Sequence, residues 1–140
     1  MNNLIVLIGY MGSGKSSVAK ALSSKLKTNH IDLDKFIESS EGISISNIFK
    51  KKGEINFRKI ERKYLENILK SKKYSIISLG GGTPCYFDNI EFINKFSNNT
   101  IFLKTSIHEL TERLFIEKDD RPIISHLKSK KKLNDFIAKH

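Results

Sequence analysis

Residues 9–16 read GYMGSGKS and directly follow the apolar run NLIVLI at positions 3–8. The stretch fits the pattern G-x-x-x-x-G-K-[ST], in which glycines let successive backbone N–H groups curl around phosphate oxygens. The apolar run predicts a strand buried on both faces, and Val18, Leu22 and Leu26 recur at helical spacing after the motif. A strand, a glycine turn and a helix in this order predict a phosphate-binding loop between the end of the strand and the start of the helix.

The residue types that close the motif indicate its chemistry. The lysine of such a loop reaches the β- and γ-phosphates of a nucleotide, and the hydroxyl residue after it ligates magnesium. We therefore expect Lys15 to act on the transferred phosphoryl group and Ser16 to bind Mg²⁺, the expected cofactor. The residues of this stretch predicted to bind ATP are Gly12, Ser13, Gly14, Lys15, Ser16 and Ser17.

Length and composition narrow the class of protein. The chain has 140 residues, which favours one domain, and a formal net charge of +10. Lysine far outnumbers arginine, and the lysine clusters at 50–52 and 128–132 contain no aromatic residues, which favours a solvated surface over a nucleic-acid site. No run approaches the roughly 20 apolar residues of a membrane helix, no secretory signal is evident, and the single Cys85 allows no internal disulfide. We expect a cytoplasmic protein without a nucleic-acid or membrane partner.

Strands and helices alternate along the rest of the chain. Beside the first strand at 4–10, we predict strands at 30–34, 74–82 and 100–105, and helices at 15–27, 35–41, 45–51, 57–70, 90–95, 107–115 and from 133. Gly42 and Gly53 are the expected breaks between helices. Strands that alternate with helices predict a parallel sheet covered on both faces.

A phosphate-binding loop does not by itself name a reaction, because motors, GTPases and small-molecule kinases share it. The chain lacks an N-K-x-D-like motif for reading a guanine base and is short for a motor, which favours a metabolite kinase. Asp32 and Asp34 follow a predicted strand, and two residues on one strand face would place one carboxylate by the metal and the other by an acceptor hydroxyl. The alternative is a polar strand end in which Asp34 caps the next helix.

Five stretches together resemble the shikimate kinase family. They are GYMGSGKSSVAKALS, IDLDKFIESSEGISISNIF, GEINFRKIE, SLGGGT and DDRPII, and they span nearly the whole chain. The resemblance implies a three-layer α/β/α P-loop fold with strand order 2-3-1-4. It also implies transfer of the γ-phosphate of ATP to the 3-hydroxyl of shikimate, a step of aromatic amino-acid biosynthesis. Residues 1–140 would form a single kinase domain, with a shikimate-binding subdomain at 33–61 and a lid at about 115–127.

The resemblance also implies roles for single residues. Asp34 would hold the ring hydroxyls and serve as the base or the orienting acid for the attacked oxygen, while Asp32 would support Mg²⁺ through water. Arg58, held by Glu61, would bind the shikimate carboxylate, to which a planar guanidinium is suited. The further residues expected to line the substrate are Gly80, Gly81, Gly82, Phe49 and Phe57, although the two phenylalanines equally fit an ordinary core.

Other arginines are assigned by the same resemblance. Arg121 lies on the lid and would reach the phosphates during transfer, and Arg113 would lie near the adenine. Arg62 has no counterpart role, and we expect it to form a surface ion pair with a nearby acid. Ser78 stands where most P-loop enzymes have a metal-supporting acid, a substitution that the family shares.

The family pattern continues for a few tens of residues beyond the helix that begins at 133. The resemblance therefore predicts that a fifth, edge strand and a second carboxylate-binding arginine are missing from the 140 residues. It implies a monomer, while an exposed sheet edge leaves self-association open. Two alternatives also stay open: a kinase for another small metabolite, such as gluconate or a nucleoside monophosphate, and a non-catalytic nucleotide-binding or basic RNA-binding remnant.

Overall fold

The structure, a computed structural model, describes residues 3–9 and 14–103. The predictions for Gly12, Ser13, Arg113 and Arg121, for the lid and for the last two helices lie outside the described residues, as does the part of the chain in which the absence of a fifth strand would be tested. The strands are β1 (Ile5–Gly9), β2 (His30–Asp32), β3 (Ile76–Ser78) and β4 (Asn99–Leu103). The helices are α1 (Lys15–Leu26), α2 (Leu33–Glu41), α3 (Ile45–Ser71) and α4 (Asn89–Asn94), with a 3₁₀ helix at Thr83–Cys85.

The four strands form one parallel sheet in the order β2-β3-β1-β4, as predicted. Successive residues of β1 point to opposite faces of this sheet. On one face Val6 is opposite Ile77 and belongs to the larger apolar cluster, to which α2, α3 and α4 also contribute. On the other face Leu7 packs in a smaller cluster with Ala19 of α1. Helices therefore cover both faces, and the expected three-layer arrangement is confirmed.

The prediction that Asp32 and Asp34 share one strand face is wrong. Strand β2 ends at Asp32, whose side chain accepts a hydrogen bond of 3.2 Å from the backbone N–H of Lys35. This bond satisfies one of the free N–H groups at the start of a helix, so α2 begins at Leu33 and includes Asp34 in its first turn. The capping aspartate is accordingly Asp32 and not Asp34.

Helix α3 is longer than predicted but breaks at the predicted glycine. Gly53 has φ 80° and ψ 168°, a conformation that is strongly disfavoured for residues with a Cβ. Helical geometry resumes at Glu54, whereas the sequence predicted that the second helix begins at residue 57. Strand β3 is shorter than predicted and ends at Ser78, which leaves the glycines beyond it free to turn. Among the described residues, no helix has both the length and the apolar character needed to cross a membrane.

Candidate active site

The described part of the phosphate-binding loop lies at the carboxyl end of β1. Gly14 precedes α1 with φ 97°, a left-handed conformation that favours glycine. Lys15, the first residue of α1, is buried, and its Nζ donates a hydrogen bond of 2.8 Å to the carbonyl oxygen of Gly9. The ammonium group is thus held between the central strand and the N-terminus of a helix, a place of positive potential that favours phosphate. Ser17 lies exposed in the first turn of α1.

Ser16 and Asp32, the two residues predicted to bind Mg²⁺, are in direct contact. The hydroxyl of Ser16 donates a hydrogen bond of 2.7 Å to Oδ2 of Asp32. Both side chains offer hard oxygen ligands, which fit Mg²⁺ when nucleotide phosphates and water complete its coordination. Within residues 3–9 and 14–103, no group of three or more His, Cys, Asp or Glu side chains is arranged to bind a metal. The donor set therefore fits a nucleotide-bound Mg²⁺ better than a metal held by protein ligands alone.

Asp34 lies half-buried in the first turn of α2 and faces the glycine turn after β3. A Cβ built on Gly80 would lie only 2.8 Å from Oδ1 of Asp34, so the absence of a side chain at Gly80 makes room for the carboxylate. Burial and, to a smaller extent, the negative charges of Asp32 and Glu61 together raise the pKa of Asp34 to about 7, against the opposing effect of Lys15. A carboxylate with a pKa near neutrality is suited to accept a proton from a hydroxyl group.

Arg58 and Glu61 form a buried ion pair on α3. The guanidinium Nη1 lies 3.1 Å from Oε1 of Glu61, and the two residues are only 5% and 1% exposed. The hydroxyl of Thr83 donates a further bond of 2.8 Å to Oε2 of Glu61. Burial raises the pKa of Glu61, while Arg58 and Thr83 act in the opposite direction. The expected support of Arg58 by Glu61 is therefore present in the structure.

The guanidinium of Arg58 also lies against the glycine turn. A Cβ on Gly82 would be 2.7 Å from Nη2 of Arg58, although the backbone of Gly82, with φ −98°, would accept any residue. The Nε of Arg58 is buried and has no hydrogen-bond partner among the described residues. Since every N–H of arginine is a donor, this group can bond an anionic ligand that enters the site. Gly81, between the two close contacts, is exposed.

Phe49 and Phe57 contact one another beside Arg58. Their ring centroids are 4.7 Å apart, Phe57 is 2% exposed, and both residues belong to the larger apolar cluster. The core interpretation of these two aromatics is thus observed, and a contact with the substrate stays a prediction. Ser78 is buried at the end of β3, where it pairs in register with Asp32 of β2.

Sequence reasoning assigned no role to three residues between the glycine turn and the start of α4, which are Thr83, Tyr86 and Asn89. The ring of Tyr86 lies 4.1 Å from Cζ of Arg58, and its hydroxyl donates to Glu54 at 2.8 Å. Asn89 is fully buried, and its side-chain amide donates a hydrogen bond of 2.8 Å to the carbonyl oxygen of Thr83. These residues follow GGG in the stretch TPCYFDN, but neither periodicity nor a spaced motif marks them, because their contacts are made across the fold.

Arg62 has the ion pairs that the sequence predicted. Its Nε lies 3.1 Å from Oε1 of Glu66, and its Nη1 pairs with Asp88. The same Nη1 donates a hydrogen bond of 2.9 Å to the side-chain oxygen of Asn89. Arg62 therefore connects the outer side of α3 to the segment that carries Thr83 and Tyr86.

Comparison with known proteins identifies a family model and relatives that match the chain. A family model described as shikimate kinase matches residues 11–140. A shikimate kinase of Flavobacterium psychrophilum is 44% identical over 136 residues, which are 97% of this chain and 78% of that protein.

Two solved structures are similar to the fold. The crystal structure of a shikimate kinase from Bacteroides thetaiotaomicron has a TM-score of 0.84 and 37% identity, over 96% of this chain and 74% of that chain. A shikimate kinase from Acinetobacter baumannii in complex with shikimate has a TM-score of 0.87 and 30% identity, over 99% of this chain and 75% of that chain. The family match and these identities establish that the chain belongs to the shikimate kinase family.

Proposed function

We propose that this protein transfers the γ-phosphate of ATP to the 3-hydroxyl of shikimate. The observation that carries the proposal is a pair of contacts on one glycine turn: Asp34 lies against Gly80 and Arg58 lies against Gly82. One turn thus brings a proton acceptor and a carboxylate-binding cation to the same place. An acceptor that carries both a hydroxyl and a carboxylate group matches this combination.

The phosphate donor is bound at the adjacent strand end. Lys15 supplies a positive charge at the carboxyl end of β1, where it would stabilise the charge that develops on the transferred phosphoryl group. Ser16 and Asp32 would hold Mg²⁺, which supplies charge neutralisation to the nucleotide phosphates when bound. The loop N–H groups predicted at Gly12 and Ser13 and the lid arginine at Arg121 belong to the same proposal.

Asp34 would accept the proton of the attacking hydroxyl. Its pKa of about 7 means that a substantial fraction is ionised at neutral pH, and that proton transfer to it from a hydroxyl is less unfavourable than to an ordinary carboxylate. Arg58 would bind the carboxylate of the ring while Asp34 holds the ring hydroxyls, so that the 3-hydroxyl is the one presented for transfer. Binding at two points restricts the acceptor to one orientation, which accelerates transfer and selects the hydroxyl.

The small-molecule substrates are the proposed partners, and the cytoplasm, where ATP is available, is the proposed location. Release of ADP from Mg-ATP, with and without shikimate, tests the function in the purified protein. We expect ADP release to require shikimate and to fall at least about 100-fold in Asp34→Asn, since a positioned proton acceptor contributes about 10²–10⁴-fold.

Two further variants test the roles of the cations. Lys15→Ala is expected to abolish turnover, and Lys20→Ala, an exposed lysine on the same helix, serves as its matched control. Arg58→Lys removes the planar fork and is expected to raise the KM for shikimate by about 10- to 150-fold, which corresponds to a charge-assisted bond of roughly 1.5–3 kcal/mol. ADP release that needs no shikimate, or that occurs equally with gluconate or a nucleoside monophosphate, would contradict the proposal.

A further inference from the structure

Tyr86 lies against Arg58, and the motifs of the sequence do not account for this contact. The residue follows the 3₁₀ helix, and its ring centroid lies 4.1 Å from Cζ of Arg58, whereas the ring of Phe57 lies 5.2 Å away. A guanidinium within about 6 Å of an aromatic centroid is attracted by the negative face of the ring. Tyr86 therefore makes the closer of these two aromatic contacts.

Tyr86 is held through its hydroxyl and through its backbone. Its hydroxyl donates a hydrogen bond of 2.8 Å to Oε1 of Glu54, the first residue of α3 after the break at Gly53. This bond is the main reason why the pKa of Tyr86 is raised, and the phenol therefore stays protonated at neutral pH. The backbone of Tyr86 is held as well, because its carbonyl oxygen accepts a hydrogen bond of 3.2 Å from the backbone N–H of Asn89.

Tyr86 and Glu61 restrain Arg58 in different ways. The Glu61 carboxylate, 3.1 Å from Nη1, is an anion and offsets part of the positive charge of the guanidinium. The ring of Tyr86 carries no net charge, so it restrains the side chain while reducing the attraction for an anionic ligand less than a carboxylate does. An arginine that is ordered before its ligand arrives loses less conformational freedom on binding.

We propose that Tyr86 is a positioning residue, which stacks on Arg58 and orients its guanidinium for the carboxylate of the acceptor. This inference rests on the proposed function, in which Arg58 binds that carboxylate. Tyr86 then contributes to affinity for the acidic acceptor and leaves the affinity for ATP unchanged. Its hydroxyl bond to Glu54 keeps the ring in place but is secondary to the stack.

Two substitutions separate the ring from the hydroxyl. Tyr86→Leu removes the stack, while Tyr86→Phe keeps the ring and removes only the bond to Glu54. Phe87→Leu is the matched control, because it removes a neighbouring aromatic ring that is 61% exposed. For each protein, ADP release gives kcat and the KM values for shikimate and ATP, and thermal unfolding gives the Tm.

We expect Tyr86→Leu to raise the KM for shikimate roughly 2- to 30-fold, the range that corresponds to a cation–π contact. The KM for ATP, kcat and Tm should stay close to those of the wild type. Tyr86→Phe should restore most of the affinity for shikimate, and Phe87→Leu should behave as the wild type.

Three results would overturn the inference. An unchanged KM for shikimate in Tyr86→Leu would refute the positioning role alone, provided that the wild type is active. Equal losses in Tyr86→Phe and Tyr86→Leu would assign the effect to the bond with Glu54 and refute the stack. A wild-type protein that releases no ADP with shikimate would instead overturn the proposed function together with this inference.

Discussion

Replacing Gly82 with alanine adds one methyl group at the point where the glycine turn meets Arg58. The backbone of Gly82 has φ −98°, so alanine introduces no strain of its own. The new Cβ would lie 2.7 Å from Nη2 of Arg58, and 3.1 Å from both Cζ and Nη1. The substitution therefore acts through this side chain.

The size of the effect follows from how firmly Arg58 is held. To restore an ordinary contact of 3.4 Å, the guanidinium must move by about 0.7 Å. The side chain is 5% exposed and lies between Glu61 and the ring of Tyr86, so it cannot swing into solvent. A shift of this size away from Glu61 would lengthen contacts of 3.1 and 3.2 Å beyond hydrogen-bonding range. A displaced guanidinium no longer meets the carboxylate of the substrate in the proposed geometry. Loss of one charge-assisted bond between Arg58 and that carboxylate costs about 1.5–3 kcal/mol, so we expect a rise of about 10- to 150-fold in the KM for shikimate.

Steady-state ADP release with shikimate and ATP varied in turn measures this change. The KM for ATP should stay within about twofold, since the phosphate-binding loop lies on another strand and a difference of 0.4 kcal/mol is only twofold. Gly42→Ala is the control, because Gly42 has φ 75° with nothing within 4 Å of a built Cβ, so alanine there strains the backbone without touching the site. A Gly82→Ala enzyme with an unchanged KM for shikimate would refute the close packing of the turn on Arg58.

Further predictions concern Asp34 and Asn89. The value of kcat/KM for shikimate should rise as the pH increases through about 7, because Asp34 accepts a proton only when it is ionised; a flat profile from pH 5 to 8 would contradict this role. The folded-state pKa of about 7 lies above the reference value of 3.8, so the contribution of Asp34 to stability is full below about pH 4 and is lost as the pH rises through about 7. Asp34→Asn should therefore have a higher Tm than the wild type at pH 8, with a difference that shrinks toward pH 4. If the variant and the wild type had the same Tm at pH 8 and at pH 4, burial of the ionised Asp34 carboxylate would not destabilise the fold. Asn89→Ala should lower the free energy of unfolding by about 1–3 kcal/mol in urea titrations, because the carbonyl of Thr83 loses its buried partner. A loss below about 0.5 kcal/mol would mean that water replaces the amide, since surface-like changes fall in that range.

The predicted site divides into parts that a local pattern can encode and parts that it cannot. The loop from Gly9 to Ser16 was recognisable because its chemistry requires glycines, lysine and a hydroxyl at fixed spacing between a strand and a helix. Arg58 and Glu61 were recognisable as partners because residues three apart on a helix are neighbours. The position of Asp34 was misjudged, since the choice between strand and helix depended on which of two aspartates caps α2.

The residues of TPCYFDN had no such signal. Thr83 contacts Glu61 across 22 positions, and Arg62 contacts Asn89 across 27 positions. Tyr86 reaches Glu54 across 32 positions. Such contacts depend on how α3 packs beside the turn after β3, and a single sequence carries no periodicity that records this packing.

The sequence by itself determined the order of strands and helices, the phosphate-binding loop and the identity of the charged groups. These features depend on spacing along the chain, on apolar runs and on glycine conformations, which are local properties. Only the tertiary structure decided that Gly80 and Gly82 lie against Asp34 and Arg58, and that burial raises the pKa of one carboxylate to about 7. Desolvation and close contact arise when distant segments pack together, so they exist only in the folded chain.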